Sequence, residues 1–331
     1  MQRISLTIVV NLLLVFSVAA QTNRSVANIG RKSSTAKRAQ SQSTRLRKED
    51  SARRRFWLSM SLGSAFDTNI SHDAEGLNSF GLVPSFGVHF LDNAERPSFE
   101  ADYEVAVHRY TNTNEFDRVS QNFTALYRKQ LAKRLYARTS GEISLKGSSE
   151  DREINNNYIL EQQIQYRITS ATRMTALAAY RIKRFPLIDS GSDAIDSYVG
   201  GKFEQRFKSD RRLELGYRYD HNRARDPRNR YIRRTYTAEF SSPLSRERRD
   251  SITMEFRYSP RQYQSRLINV NGARVPRRDK RWVFGVTYER LLRPDLLMTL
   301  GYSYERRNSN DLQKEFASNV FGATFTFDWW K

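Results

Sequence analysis

Apolar and polar residues alternate with a period of two along nearly the whole chain from residue 56 onward. In segment 320–331 one face is aromatic or apolar and the other is small or polar: Phe321, Ala323, Phe325, Phe327 and Trp329 oppose Gly322, Thr324, Thr326 and Asp328. Successive side chains of a β-strand point to opposite faces. An apolar outer face and a polar inner face, repeated over many strands, are typical of a barrel that stands in lipid.

The same alternation recurs in about fourteen runs, an even number as expected for a single-chain bacterial barrel. Clear examples are segments 80–90, 99–107, 213–219 and 296–304. The sequence therefore predicts an all-β fold, a transmembrane antiparallel β-barrel of about fourteen strands, with twelve and sixteen as fallbacks. Gln162 is an exception, because its position falls on the lipid face. A soluble all-β domain is the alternative fold.

The connections between runs also alternate in length. Short links follow even-numbered runs, at 92–97, 131–134, 170–173, 209–211 and 293–295. Longer polar segments follow odd-numbered runs, at 71–79, 148–156, 189–192, 222–230 and 266–279. Barrels of this class have short periplasmic turns and longer extracellular loops, so both chain ends are expected on the periplasmic side.

The segment before the first run divides into two parts. Residues 1–20 combine Arg3, an apolar centre and small residues at the end, which predicts a cleaved signal peptide, with a retained anchor as the alternative. Residues 21–55 are rich in Arg, Lys, Ser and Thr with only Glu49 and Asp50 as acids, which predicts a disordered basic periplasmic tail. Residues 56–331 are predicted to form the barrel.

Composition narrows the possible partners. The formal net charge is +20 and the sequence pI is about 10.2, and the basic tail supplies about half of that charge. We find no nucleic-acid recognition motif, so no nucleic acid is expected. The chain contains no cysteine, which excludes disulfides, thiolate metal sites and a lipoprotein anchor. The expected partners are outer-membrane lipid and lipopolysaccharide, and either cell-wall polymer or a periplasmic export partner.

Three short motifs lie at the ends of runs: segments 66–70 (Phe-Asp-Thr-Asn-Ile), 277–280 (Arg-Arg-Asp-Lys) and 304–310 (Tyr-Glu-Arg-Arg-Asn-Ser-Asn). They resemble segments of the barrel domain of surface lipoprotein assembly modifiers, a family of outer-membrane translocons, and of outer-membrane porins with related architecture. The resemblance covers roughly residues 56–330 and implies an outer-membrane barrel. The aromatic last strand also resembles the C-terminal signal that the barrel assembly machinery reads, which implies that machinery as a partner.

The predicted inner face carries charges of both signs. The candidate lumen and loop residues are Asp67, Asn69, Glu100, Asp102, Glu104, His108, Arg218, Asp220, Arg277, Arg278, Asp279, Arg306, Arg307, Ser309 and Asn310. Asp and Asn are typical of the transition from a strand to a loop, and paired arginines beside an aspartate are suited to forked ion pairs that hold loops over the mouth. A lining of mixed sign predicts weak ion selectivity and a small or gated conductance.

These observations favour a porin-like outer-membrane channel for small solutes, passive or export-coupled. A translocon for surface lipoprotein or polysaccharide is the first alternative; the family that the motifs resemble has a periplasmic helical-repeat domain before its barrel, where this chain has the basic tail. A barrel enzyme acting on lipid or peptide at the outer rim is the second. The histidines are the obvious candidates, His89 and His108 pointing inward and His72 and His221 at outer strand ends, but no serine motif or metal-ligand spacing accompanies them. We predict no catalytic residue, cofactor or metal.

Overall fold

The computed structural model describes residues 56–72, 76–92, 98–111, 117–147, 155–185, 190–245 and 249–330. The predicted signal peptide and basic tail lie outside the described residues. So do parts of the predicted connections at 71–79, 92–97, 148–156 and 189–192.

The described residues form a closed barrel of fourteen antiparallel strands, in which each strand pairs with its sequence neighbours and the first pairs with the last. The strands are β1 (Phe56–Asp67), β2 (Ser79–Asp92), β3 (Ser98–Tyr110), β4 (Arg118–Ala132), β5 (Leu135–Gly147), β6 (Asn156–Arg167), β7 (Thr172–Arg184), β8 (Ala194–Arg206), β9 (Arg212–Ala224), β10 (Tyr231–Pro243), β11 (Asp250–Val270), β12 (Ala273–Arg293), β13 (Leu296–Ser309) and β14 (Phe316–Trp330). The predicted fold and strand number are confirmed.

Large apolar side chains cover the outside of the barrel, as the alternation predicts. Leu62, Leu160 and Val199 are each more than half exposed. An outward aromatic row also crosses four neighbouring strands, since Tyr217, Tyr236, Tyr258 and Trp282 are in register and in successive ring contact. Such a surface suits lipid rather than water.

Gln162 lies on this outer face, as predicted. Its side-chain oxygen accepts a hydrogen bond of 2.6 Å from the hydroxyl of Thr139, which is its partner in the β5–β6 pairing. The amide that interrupts the apolar surface therefore has a polar neighbour on the same face.

The barrel closes where β1 meets β14. Ser61 and Thr326 share a hydrogen bond of 2.9 Å between their hydroxyls, and Ser318 donates one of 2.6 Å to Asp67. Beyond β1, the Thr68 amide donates to the Asn319 carbonyl. The apolar terminal strand is thus joined to the first strand along its length by the ladder and by polar contacts on the inner side.

The connections lie at two ends of the barrel. At the end where β1 begins and β14 ends, β4 and β5 are joined by residues 133–134 and β12 and β13 by residues 294–295. We name this the turn end. At the opposite end, named here the loop end, β1 and β2 are joined by residues 68–78 and β9 and β10 by residues 225–230. In the described part of the chain, no helix is long and apolar enough to cross a membrane.

One predicted loop is wrong. Segment 266–279 is mostly strand, because β11 and β12 are each 21 residues long and meet at a tight turn formed by Asn271 and Gly272. Both turn residues have positive φ, 51° and 83°. Asn-Gly is the sequence that a two-residue hairpin turn with two positive φ angles favours. The segment was predicted as a loop because it is polar, but it forms a hairpin that continues β11 and β12. The β11–β12 pairing has a register shift between Gln262 and Leu267.

Candidate functional site in the barrel lumen

The inner wall is polar, and several of its carboxylates are fully buried. Asp196 and Asp220 have no exposed surface, and both are held by bases of their own or a neighbouring strand. Asp196 is bonded to Arg181 and lies 2.7 Å from Lys183, while Asp220 lies 3.1 Å from both Arg218 and Arg233. Because each carboxylate is shared by two bases, this part of the wall has a surplus of positive charge.

A row of inward residues crosses β9 to β13 at one level. Arg218 pairs with Thr235, Ser259 pairs with Arg281, and Arg281 pairs with Arg307. Thr235 and Ser259 lie on adjacent strands, and the Ser259 hydroxyl donates to the Thr235 hydroxyl at 3.4 Å. Two small hydroxyls thus form the centre of the row, with arginines on both sides.

The next inward rows add further arginines. Toward the loop end, Arg233 pairs with Arg261, and Arg261 pairs with Asp279. Toward the turn end, Arg257 pairs with Thr237. Since inward positions on one strand are two residues apart, these rows lie directly above and below the hydroxyl pair.

A cavity of about 310 Å³ lies over this part of the wall. Its lining contains the carboxylates of Glu161 and Asp279, but bases outnumber them: Arg218, Arg233, Arg257, Arg261, Arg281, Arg307 and Lys202. The inner wall as a whole has charges of both signs, as predicted, whereas this cavity is basic.

Ion pairs and aromatic rings hold the cavity arginines in place. Arg281 is bonded to Glu305 and Arg257 to Glu255. Arg261 instead donates to the Tyr263 hydroxyl at 3.0 Å and lies 4.4 Å from the centre of the Tyr231 ring. Among the described residues, no carboxylate lies within ion-pair distance of Arg261. A planar guanidinium held over a ring keeps its charge and much of its hydrogen-bonding edge available.

The motif residues of β12 and β13 lie at the loop end. Arg277 makes two hydrogen bonds of 2.9 Å with Asp279, and Ser309 donates to Asp279 at 2.8 Å. Arg278 is exposed on the opposite face, and its backbone amide donates to the Asn310 side chain. The predicted forked ion pair is present at Arg277, while the two adjacent arginines are separated by the alternation of the strand.

Two other motif arginines are separated in the same way. Arg306 is exposed on the outer face, where it donates to Asn308 at 2.8 Å. Arg307 lines the lumen cavity and lies 4.8 Å from the centre of the Phe316 ring.

Asp67 and Asn69 form the predicted end of β1. The Asn69 amide donates to the Asp67 carboxylate at 3.0 Å, and the Asn69 side chain donates to the Ala317 carbonyl and accepts from the amide of His72. Both residues are buried. They join the start of the β1–β2 connection to the first residues of β14 and do not line the cavity.

The acidic candidates of β3, Glu100, Asp102 and Glu104, lie on the inner face of a different wall, opposite Leu91, His89 and Gly87 in the β2–β3 pairing. His108 is buried on the same face, where its Nε2 is 3.2 Å from the Ser120 hydroxyl. The structure therefore brings Arg218, Asp279 and Arg307 together at the cavity. Asp220 is the next inward residue of β9 and is paired with Arg218, whereas the β3 residues lie apart from them.

A hydrogen-bonded relay of Ser59, His89 and Asp102 was missed from the sequence. The Ser59 hydroxyl is 2.8 Å from His89 Nε2, and His89 Nδ1 is 2.7 Å from Asp102. Gly87 makes room for it, since a Cβ there would lie 2.5 Å from the Ser59 hydroxyl. Trp57 stacks on the His89 ring at 4.8 Å. The inward parity of the three residues was visible in the sequence, but their common level depends on strand register.

At the loop end, a short 3-10 turn at Pro227–Asn229 is capped by Asp226. Hydrogen bonds from the side chain and backbone amide of Arg228 hold the pKa of Asp226 below its usual range. Among the described residues, no group of three or more His, Asp or Glu side chains is arranged to hold a metal ion.

A closed antiparallel barrel with an apolar, aromatic exterior and a charged interior defines the class of this protein: it is a transmembrane β-barrel of the outer membrane. No protein-family model matches the chain, and no curated protein matches it in sequence. Membership of the family that the three motifs resemble is therefore not shown.

Solved outer-membrane barrels are similar in fold. They include OmpT of Vibrio cholerae (9% identity, TM-score 0.48, covering 83% of this chain and 97% of that one). OprD of Pseudomonas aeruginosa has 10% identity and a TM-score of 0.44, with 83% and 95% covered. OccAB3 of Acinetobacter baumannii has 7% identity and a TM-score of 0.46, with 83% and 99% covered. Likeness at this level carries no information about solutes.

Proposed function

We propose that the protein is a passive outer-membrane channel for small solutes. The observation that carries this proposal is the inner wall of β9–β13, where charged side chains border a cavity in place of an apolar core. A charged inner wall is suited to water and polar solutes, since an apolar solute would gain nothing from displacing water there.

Purified protein in planar lipid bilayers tests the proposal. We expect discrete current steps in KCl, and swelling of liposomes that contain the protein in an isotonic sugar solution. A matched preparation of heat-unfolded protein controls for detergent leakage. If folded protein gives neither current steps nor swelling, the channel proposal is wrong.

Export of a surface lipoprotein or polysaccharide is the alternative suggested by the three motifs. A deletion strain distinguishes it from the channel. Loss of one surface-exposed lipoprotein or polysaccharide, together with no conductance of the purified barrel, would favour export. Unchanged surface composition with normal conductance would favour the channel.

Within the described strands, the Ser59–His89–Asp102 relay favours an enzyme, because its order of hydrogen bonds is that of an acyl-transfer triad. Ser59 is only 4% exposed, so a substrate has little access to its hydroxyl. A serine nucleophile also needs nearby hydrogen-bond donors that stabilise the oxyanion formed from the substrate carbonyl. Strand amides around Ser59 belong to the β1–β2 and β1–β14 ladders. We therefore assign the relay a structural role in joining β1, β2 and β3.

A hydrolysis assay with a short-chain p-nitrophenyl ester tests that assignment. We expect equal, background rates for the wild-type protein and the Ser59→Ala variant. Hydrolysis by the wild type that disappears in Ser59→Ala and in His89→Ala would establish the enzyme instead.

A further inference from the structure

The cavity over Thr235 and Ser259 is lined by an unusually dense group of hydrogen-bond donors and positive charges. Six arginines from five neighbouring strands line one space, and the hydroxyl pair lies in the middle of its wall, between Arg218 and Arg281. Like charges so close together repel one another, and this repulsion is relieved when an anion enters. The arrangement is therefore stabilised by a negatively charged ligand.

The geometry points to the type of anion. Guanidinium groups present paired donors that match the oxygens of a carboxylate or a phosphate, and small hydroxyls add further donors. Glu255 and Glu305, which hold Arg257 and Arg281, are not part of the lining, so these carboxylates orient two of the arginines from outside the cavity. Arg261 has aromatic and phenolic contacts in place of a direct ion pair, because Asp279, its partner in the β11–β12 pairing, is bonded to Arg277.

We infer that this cavity is a binding subsite for a small multivalent oxyanion, carrying carboxylate or phosphate groups, on its path through the barrel. The inference rests on the proposed channel for its transport role and specifies the class of solute. A volume of about 310 Å³ accommodates a molecule of the size of citrate or pyrophosphate. A subsite of this kind makes the channel anion-selective, in contrast to the weak selectivity that mixed charges along the sequence indicated.

The test uses the full-length barrel protein purified from outer membranes, in planar bilayers with KCl on both sides. In a KCl gradient, the reversal potential should show preference for chloride over potassium. Citrate and pyrophosphate, added separately, should reduce the single-channel current in a saturable manner. Block by citrate alone identifies a carboxylate site, and block by pyrophosphate alone identifies a phosphate site; either outcome supports the inference.

Variants assign the block to this cavity. Arg261→Gln and Thr235→Val should each raise the half-blocking concentration of the effective anion at least about tenfold, because a charged donor or a hydroxyl donor is lost. Arg128→Gln is the matched control, since it removes the same charge from the inner side of β4, outside the cavity lining, and should leave block unchanged. Thr235→Val preserves the shape of the side chain and leaves every charge in place. It therefore tests the site even if Arg261→Gln disturbs folding.

The possible failures are distinguishable. Normal conductance without anion preference or block overturns the subsite and leaves the channel intact. Block that Arg261→Gln and Thr235→Val do not weaken, or that Arg128→Gln weakens equally, also overturns it. If the wild type shows no conductance, the channel is wrong, and calorimetric titration of the detergent-solubilised barrel with citrate and pyrophosphate then decides the subsite: binding that Thr235→Val weakens supports it, and no binding overturns it.

Discussion

Ser318 of the last strand donates a hydrogen bond of 2.6 Å to Asp67 of the first strand, across the seam at which the barrel closes. Asp67 is 1% exposed and Ser318 is fully buried. Asp67 also accepts from the amide of Asn69, so one carboxylate ties β14 to the start of the β1–β2 connection. The predicted motif at the end of β1 is thus part of barrel closure.

Ser318→Ala should lower barrel stability by about 1–3 kcal/mol, because a buried carboxylate loses a hydrogen-bond donor. The temperature at which the folded band converts to the slower-migrating unfolded band on gels measures the change. Ser64→Ala, on the outward side of β1, is the control and should behave as wild type. Equal conversion temperatures for all three proteins would contradict a role of the contact at the seam.

Arg277→Ala and Arg278→Ala should differ sharply. Arg277 is 4% exposed and pairs with the buried Asp279, so its removal should cost about 3–5 kcal/mol and increase gating fluctuations of the channel. Arg278 is exposed, and its backbone amide rather than its side chain bonds Asn310, so its replacement should change stability by less than about 0.5 kcal/mol. Urea unfolding in detergent and bilayer recordings measure both effects. Similar losses in the two variants would show that the forked pair is not the determining contact.

Val199→Arg should destabilise the barrel in lipid by about 2–4 kcal/mol, because Val199 lies near the middle of β8 on the outer face, where a charge meets hydrocarbon. Urea titration of the protein in liposomes measures the cost. Val199→Leu is the matched control and should be near neutral. A tolerated arginine would mean that this face is not in contact with lipid.

Gly272→Val should loosen the tip of the β11–β12 hairpin, because Gly272 has a φ of 83° that a β-branched residue adopts only with strain. Limited trypsin digestion should cleave faster at Arg266 or Arg274 on either side of the turn. Gly301→Val is the control, since Gly301 has ordinary φ and open space for a side chain. Unchanged cleavage in Gly272→Val would argue against a conformationally demanding turn.

Removal of residues 21–53 should leave insertion and barrel stability intact, because this segment has no periodic apolar face that could pack on the strands. The heat-modified gel shift of outer-membrane fractions provides the measurement, with residues 1–20 retained in both proteins. Failure of the shortened chain to assemble would assign the tail a targeting or folding role.

The sequence alone predicted about fourteen strands and the face of most of their residues. This was possible because alternation with a period of two follows from the covalent geometry of an extended chain, and a barrel in lipid imposes opposite polarity on the two faces. Even Gln162 lies on the outer face where the alternation places it. The 271–272 turn was missed although its Asn-Gly sequence was a usable signal, because the surrounding polar residues were taken for a loop.

Only the tertiary structure decided which inward residues meet. Arg218, Ser259 and Arg281 are far apart in the chain and share one row because of the registers of β9–β12. Ser59, His89 and Asp102 meet for the same reason. Alternation fixes the face of a residue but not its height along the barrel, and that height depends on the pairing of each strand with its neighbours and on turn geometry. The arginine cavity is therefore a property of the register, invisible in a sequence whose inward charges are mixed in sign.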